Sequence, residues 1–429
     1  MIKDFNPKIR RIAILNYLLL FVEGVAGLIL VASFLNKLGA EVYGLWASIV
    51  ALAGLLGILE SGIPTIISQK IALQFSELST NDLYKKFNTG LLYCILSSIV
   101  ALFFGIIFII LLPNIYSEIN SSEIFFFQLG AFLLVLSAIF VFFFNLMDAV
   151  SNSIGFPEIP KLSTLGGSLI SLVASLSLLS TEYYLLAVPA YPFLKHLISF
   201  VLPSIFLVIF CIKEQIKFTK FDIKLFKELV KITPSIMSSK FFNNLTSSLE
   251  NTLILKFVNS ETVAIYSITK RFFEIIKLLT ERILGIFLAK TANKVGQLGL
   301  KDFKYFILRY LKNYMSSVLI LLVFVVIFNK TFISIWVGDE YYGGLALSIL
   351  IAISLMTLML SNALSYYLSV MNKYIYAATL VSIEGIMKVL FSLVLGYYFG
   401  LEGLIIGTTV ASMPVIYMLV KKWHKLLSS

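Results

Sequence analysis

Charge is scarce in this chain: only 13% of its 429 residues are Asp, Glu, Lys or Arg, against 59% hydrophobic residues and a mean hydropathy of +0.95. A soluble domain carries about twice that charged fraction, so the composition excludes an ordinary globular class and implies a polytopic membrane protein. Cysteine is nearly absent. Cys94 and Cys211 both sit in apolar runs without zinc-like or redox spacing, which excludes a disulfide framework and predicts no metal and no cofactor. Histidine occurs twice, and no HExxH, GxSxG, phosphate-loop or paired-carboxylate signature is present. Enzymatic chemistry therefore has no candidate residues, and a non-enzyme is expected. Lys and Arg outnumber Asp and Glu by 34 to 23, a net charge of +11. The excess gathers in short loops on one side of the apolar segments, so membrane topology explains it and no nucleic-acid partner is expected. The opening MIKDFNPKIRRIAIL runs into an apolar stretch without a small-residue cleavage site, which predicts a retained first helix.

What is abundant is apolar sequence in membrane-length windows. At about 20 residues per crossing, twelve helical spans are predicted near 11–35, 42–68, 88–112, 123–147, 160–180, 184–212, 231–257, 262–288, 305–328, 343–370, 374–399 and 401–420. Both termini then share a side. Of the Lys and Arg residues, only Lys37, Lys256 and Lys330 fall in odd-numbered loops, so the positive-inside rule makes the termini cytoplasmic. Six lysines between Lys213 and Lys231 mark a divider. The chain is read as an N-terminal lobe over 1–212, a basic cytoplasmic linker over 213–230, and a C-terminal lobe over 231–429, six spans in each lobe. Two such lobes starting from one side suggest a parallel repeat. LGAEVYGLWASI after span 1 echoes VNSETVAIYSIT after span 7, aligning Glu41 with Glu261, Gly44 with Ala264 and Trp46 with Tyr266.

Span 8 carries an energetic anomaly. SITKRFFEIIKLLTERILGIF holds Lys270, Arg271, Glu274, Lys277, Glu281 and Arg282. A charge near the bilayer centre costs about 2.5 to 3.5 kcal/mol on insertion scales, so six of them must line water or partners. At about 100° per residue, Lys270, Glu274, Lys277 and Glu281 share one stripe, with Arg271 and Arg282 on a second line. Counting depth at about 1.5 Å per residue sets Glu250 of span 7 level with Lys270, and Lys240 between Lys277 and Glu281. Span 7 presents a polar face of its own, including Asn243, Asn244, Ser247 and Asn251. In span 11, Glu384 and Lys388 stand one turn apart, and span 10 adds Ser354, Thr357, Ser361, Asn362 and Ser365.

Within its spans the second half counts six cations against four carboxylates, a balance that favours an anion, and Arg offers a planar fork suited to phosphate. The candidate anion-binding residues are Arg271, Arg282, Lys277, Lys270, Lys240 and Lys388. Lys270 with Glu274, Lys277 with Glu281, and Glu384 with Lys388 equally suit intrahelical structural pairs. Arg271 and Arg282, off the self-neutralising line, are the sharper candidates. Glu23, Glu60, Glu250 and Glu274 are the candidate ion-coupling carboxylates, for a proton or sodium ion, with structural hydrogen bonding as the other reading. Lys195 and His196 read as a packed or snorkelling polar pair. In span 2, Gly54, Gly57, Ser61, Pro64 and Ser68 gather on one face. Close helix packing is the expected reading, a hinge the other.

The twelve spans, the six-plus-six division and LGAEVYGLWASI followed by LGILESGIPTIISQKIA resemble the Wzx-type polysaccharide and O-antigen flippases of the multidrug/oligosaccharidyl-lipid/polysaccharide exporter superfamily. The resemblance implies two six-helix lobes around a central cavity in a bacterial cytoplasmic (inner) membrane. It implies a cargo of undecaprenyl-diphosphate-linked oligosaccharide, moved from the cytoplasmic to the outer leaflet by alternating access and coupled to a proton or sodium gradient as in an antiporter. Membrane lipid and polysaccharide polymerase machinery are the implied partners, in the setting of O-antigen and lipopolysaccharide biosynthesis. The cationic lumen of the family maps to Lys240, Lys270, Arg271, Lys277 and Arg282, while the first half lacks deep arginines. A cation-coupled multidrug exporter of the same fold is the first alternative, favoured by Glu23 and Glu60. A membrane glycan polymerase or ligase is the second, disfavoured by the short outer loops.

Overall fold

The computed structural model describes residues 7–60, 63–72, 80–213, 221–294, 300–371 and 373–428, with no strands among them. Eleven α-helices result: α1 (Pro7–Ala53), α2 (Ile63–Ala72), α3 (Thr80–Ile115), α4 (Ile124–Ser153), α5 (Glu158–Leu178), α6 (Ala187–Lys213), α7 (Ile223–Phe257), α8 (Ser260–Lys294), α9 (Leu300–Trp336), α10 (Gly344–Val370) and α11 (Tyr374–Ser428). Twelve spans fit into eleven helices because α1 and α11 each turn on one glycine. Gly39 (φ 77°) and Gly400 (φ 59°) adopt a positive-φ backbone that a side chain resists, so each breaks its helix in two without a loop. The second span then continues through a 3₁₀ segment, Gly54–Glu60, into α2.

Eight helical stretches among the described residues are long and apolar enough to cross a membrane, the first and last of them holding two spans each. The more charged α7 and α8 complete the predicted set. The protein is an all-α, multi-pass membrane protein. Helix α7 starts at Ile223, before the predicted span, because Asp222 caps it: its Oδ1 accepts from the backbone N–H groups of Lys224 (2.9 Å) and Leu225 (3.0 Å). Of the basic divider, residues 214–220 lie outside the described residues.

The helices form two compact units, one of residues 1–39 and 52–237, the other of residues 40–51 and 238–429. The first is organised around Ile63, Ile67 and Ile71 of α2 packed with Phe142, Leu146 and Leu229. Tyr93 donates to Thr233 Oγ1 (3.2 Å), and the backbone N–H of Asp222 donates to Thr89 (2.8 Å), which fastens the start of α7 to this unit. The second unit has a core of Ile307, Tyr367, Leu368, Leu419 and Trp423.

The second unit also holds a segment far from it in sequence, residues 40–51. Asn251 donates to the carbonyl of Ala47 (3.2 Å), Ser48 and Thr252 share a hydrogen bond of 3.0 Å, and a Cβ on Gly44 would overlap the carbonyl of Ser260. The same hypothetical Cβ would lie 3.4 Å from the backbone nitrogen of Ala264. Gly44 and Ala264 are the positions aligned by the internal sequence echo, so the two echoing motifs pack on each other.

Candidate functional site

The charged stripe of α8 borders a cavity of about 200 Å³ in the second unit, lined by Glu250 of α7, Tyr266, Lys270, Glu274 and Lys277 of α8, Ile351, Ser354, Leu355 and Leu358 of α10, and Ile405 of α11. Spacing explains the α8 contribution: 266, 270, 274 and 277 recur every three or four residues and share one helical face. At their N-terminal end Asn259 caps α8, its Oδ1 accepting from the backbone N–H (2.8 Å) and hydroxyl (2.7 Å) of Thr262.

The charges inside pair in a pattern that differs from the intrahelical one. Lys270 bonds Glu250 Oε2 across the α7–α8 interface at 2.5 Å, and the Tyr266 hydroxyl donates to the same oxygen at 2.7 Å. The Lys270 ammonium also lies 5.1 Å from the Tyr266 ring centroid, within cation–π range. Depth matching had set Glu250 level with Lys270, and the two side chains do meet. Glu274, relieved of Lys270, faces Arg271 at 3.5 Å. Lys277 is the most loosely held of the lining cations, 4.0 Å from Glu281 with about a third of its side chain exposed. The lining thus offers one engaged ammonium, one available ammonium and two carboxylates.

Among the other candidates, Lys388 lies outside this lining. It bonds Glu384 Oε1 at 2.7 Å, Ser412 donates to the same oxygen at 2.9 Å and Ser361 to Oε2 at 2.5 Å. Glu384 is 4% and Lys388 7% exposed, so this is a closed, satisfied ion pair within α10 and α11. The side chains of Lys240, Asn243, Asn244, Ser247 and Arg282 lie outside the described residues.

In the first unit Glu23 of α1 bonds Lys195 of α6 at 2.6 Å. His196, beside it, turns instead to Ser137 of α4, 2.7 Å from its Nδ1. Glu60, closing the 3₁₀ segment, accepts from Asn145 at 3.0 Å. Tyr266, Ser412 and Asn145 complete these sites and had no sequence signal as partners: each is a polar group inside an apolar span, detectable only once its neighbour is known.

The opposite face of α10 borders a groove of about 330 Å³ with α9, lined by Leu319, Leu322, Val323, Val326, Ile327, Ile349, Ala352, Ile353, Met356 and Thr357. Thr357 is apolar in effect, since its hydroxyl donates to the carbonyl of Ser354 at 2.8 Å. One ten-residue stretch of α10 therefore separates a charged cavity from a hydrocarbon-like groove.

Neither a protein-family model nor a curated protein matches the sequence. Solved structures do match in fold. An inward-facing multidrug resistance MATE family transporter of the MOP superfamily superposes with a TM-score of 0.73 at 14% identity, covering 96% of both chains. The lipid II flippase MurJ, in an inward closed conformation, gives 0.70 at 16% identity over 96% of this chain and 89% of that one. A MOP superfamily transporter from Pyrococcus furiosus, noted for the reverse polarity of its binding pocket, gives 0.60 at 15% identity over 97% and 93%. The chain shares its fold with these transporters and with this flippase.

Proposed function

We propose that the protein is a flippase that carries an undecaprenyl-diphosphate-linked oligosaccharide from the cytoplasmic to the outer leaflet of a bacterial inner membrane by alternating access. The observation that carries this reading is the pairing of two environments on α10, a charged cavity on one face and a wholly apolar groove on the other. Such a wall suits an amphiphile with a charged, hydroxyl-rich head and a hydrocarbon tail. Lys277 is the ammonium available to a diphosphate, with Arg271 adjacent. Glu274 and Tyr266 suit sugar hydroxyls, and the groove suits a polyprenyl chain. Lys270, Lys240 and Arg282 complete the expected anion-binding set, whereas Lys388 is assigned a structural role by its closed pair. Both termini are cytoplasmic in this reading. A proton or sodium gradient resets the carrier through carboxylates drawn from Glu23, Glu60, Glu250 and Glu274.

The test is Lys277→Ala and Arg271→Ala at normal protein level. The expected result is accumulation of lipid-linked glycan on the cytoplasmic leaflet, while full surface glycan in both variants refutes the proposal. A second reading, a cation-coupled multidrug exporter, is favoured by Glu250 and Glu274 in the same cavity, because cationic cargo seeks carboxylates. Drug sensitivity in an efflux-deficient host separates the two: protection by the wild-type chain, lost in Glu274→Gln, identifies the exporter.

A further inference from the structure

Residues 40–51 bring a phenol to the second unit. This segment packs along the face of α8 that carries Ala264, since a Cβ on Gly44 would lie 3.4 Å from the backbone nitrogen of Ala264. Arg271 follows Ala264 by seven residues, and at about 100° per residue it falls within about 20° of the same line. Tyr43 precedes Gly44 in the segment, and the charged groups that act on its hydroxyl are Arg271 first and Glu274 second.

Arg271 and Glu274 hold each other loosely. One guanidinium nitrogen meets the carboxylate at 3.5 Å, with 37% and 43% of the two side chains exposed, so the remaining N–H donors of the fork are uncommitted among the described residues. A guanidinium meets a phosphate bidentately only when its plane is held, and a single long contact does not hold it. Glu274 stands at the margin between two faces of α8, lining the charged cavity and touching Arg271. The same unit shows what a phenol does beside such a pair: Tyr266 donates at 2.7 Å to the Glu250 oxygen that bonds Lys270. Tyr266 belongs to the second copy of the echoing motif and Tyr43 to the first. Tyr43 aligns with Val263, so its phenol has no duplicate in the second copy.

We infer that Tyr43 is a positioning residue of the cargo site: its phenol, carried in by the start of the second span, holds the Arg271 guanidinium in the plane from which it meets an anionic diphosphate. The inference rests on the proposed anionic cargo. The hydroxyl accepts from the guanidinium and donates to Glu274, which turns a loose pair into a three-membered group. The anion site of the second unit then depends on a residue from the first half of the sequence, and this gives the packing of residues 40–51 on α8 a use beyond stability.

The experiment is binding of inorganic pyrophosphate to the purified full chain in detergent, followed by the rise of melting temperature with pyrophosphate concentration at constant ionic strength. Tyr43→Phe keeps the ring and removes the hydroxyl. It is expected to raise the apparent Kd about tenfold, the worth of one hydrogen bond to a charged group. Arg271→Lys keeps the charge and gives up the fork, so it binds more weakly than wild type. Adding Tyr43→Phe to Arg271→Lys is expected to cause no further loss, because a lysine has no plane to hold. A merely structural phenol would move the ligand-free melting temperature and leave the apparent Kd alone. Wild-type affinity in Tyr43→Phe therefore overturns the inference, and so does a tenfold loss that persists in the Arg271→Lys background. A wild-type chain whose melting temperature does not respond to pyrophosphate refutes the anionic-cargo reading itself and the inference with it, an outcome distinct from the other two.

Discussion

Replacing Lys388 by Met separates a structural charge from a transport charge. Glu384 and Lys388 are 4% and 7% exposed, and the carboxylate spends its acceptor capacity on Lys388, Ser361 and Ser412. Removing the ammonium leaves a buried carboxylate with two neutral donors. Breaking a buried pair in this one-sided way costs about 3–5 kcal/mol. The unit that contains it has about 200 residues, for which each kcal/mol moves the melting temperature by about 2–4 °C. Lys388→Met is therefore expected to melt about 10 °C below wild type, measured by intrinsic fluorescence on purified protein. The double variant Glu384→Gln, Lys388→Met removes both charges; one of Ser361 and Ser412 still donates to the amide oxygen, and the hydroxyl of the other turns to accept from the amide NH2. It should recover most of the loss, since an isosteric neutral replacement of a buried pair is often close to neutral. The reasoning is refuted if Lys388→Met melts within about 2 °C of wild type, and doubly so if glycan export is lost at that unchanged stability. Lys388 would then serve cargo rather than fold.

Two further outcomes test the moving parts. Gly54 and Gly57 have no atom within 4 Å of where a Cβ would be, and they lie in the 3₁₀ stretch that begins in the first unit just after the chain enters it at Leu52. Ala at both is expected to stabilise by about 0.5–1 kcal/mol per site while slowing export several-fold, as measured by surface glycan recovery after induction; an unchanged rate refutes the hinge. Gly44→Ala drives a Cβ into the backbone carbonyl of Ser260, which no rotamer relieves, and is expected to destabilise by about 1–3 kcal/mol in thermal unfolding. Gly24→Ala, with open space at its Cβ, serves as the neutral control.

The twelve crossings were legible because burial of backbone in hydrocarbon demands about 20 apolar residues per helix, a constraint that shows in any window. The depth match of Glu250 with Lys270 was legible for the same reason: rise per residue is fixed, so position along one helix predicts level on the next. Pairing was not. Spacing on α8 offers Lys270 the neighbour Glu274, one turn away, but spacing cannot say that Glu250 and the Tyr266 hydroxyl meet the ammonium from the side. Unit membership was hidden too. Residues 40–51 follow span 1 in the chain yet pack with α7 and α8, because the single-residue turn at Gly39 ends the first helix and the next is held by Asn251, Thr252 and Ser260.

Small residues were the most ambiguous signal, and span 2 shows why. A glycine in a membrane helix admits either a close neighbour or none, and the two meanings are mechanically opposite. Gly167, Gly385 and Gly407 have the first meaning, each facing a neighbouring backbone that a Cβ would strike. Gly54 and Gly57 have the second, whereas farther along the same face Ser68 packs closely enough to share a 2.8 Å hydrogen bond with Ser153 of α4. Their slack falls where the backbone leaves α-geometry, just after the chain has left the second unit and just before Glu60. On α7 the corresponding crossing, between residues 237 and 238, follows Pro234, whose missing N–H removes a helical hydrogen bond at that point. Each helix that continues from one unit into the other thus departs from the regular α-hydrogen-bond ladder within a few residues of the boundary, at the 3₁₀ segment from Gly54 on one and at Pro234 on the other.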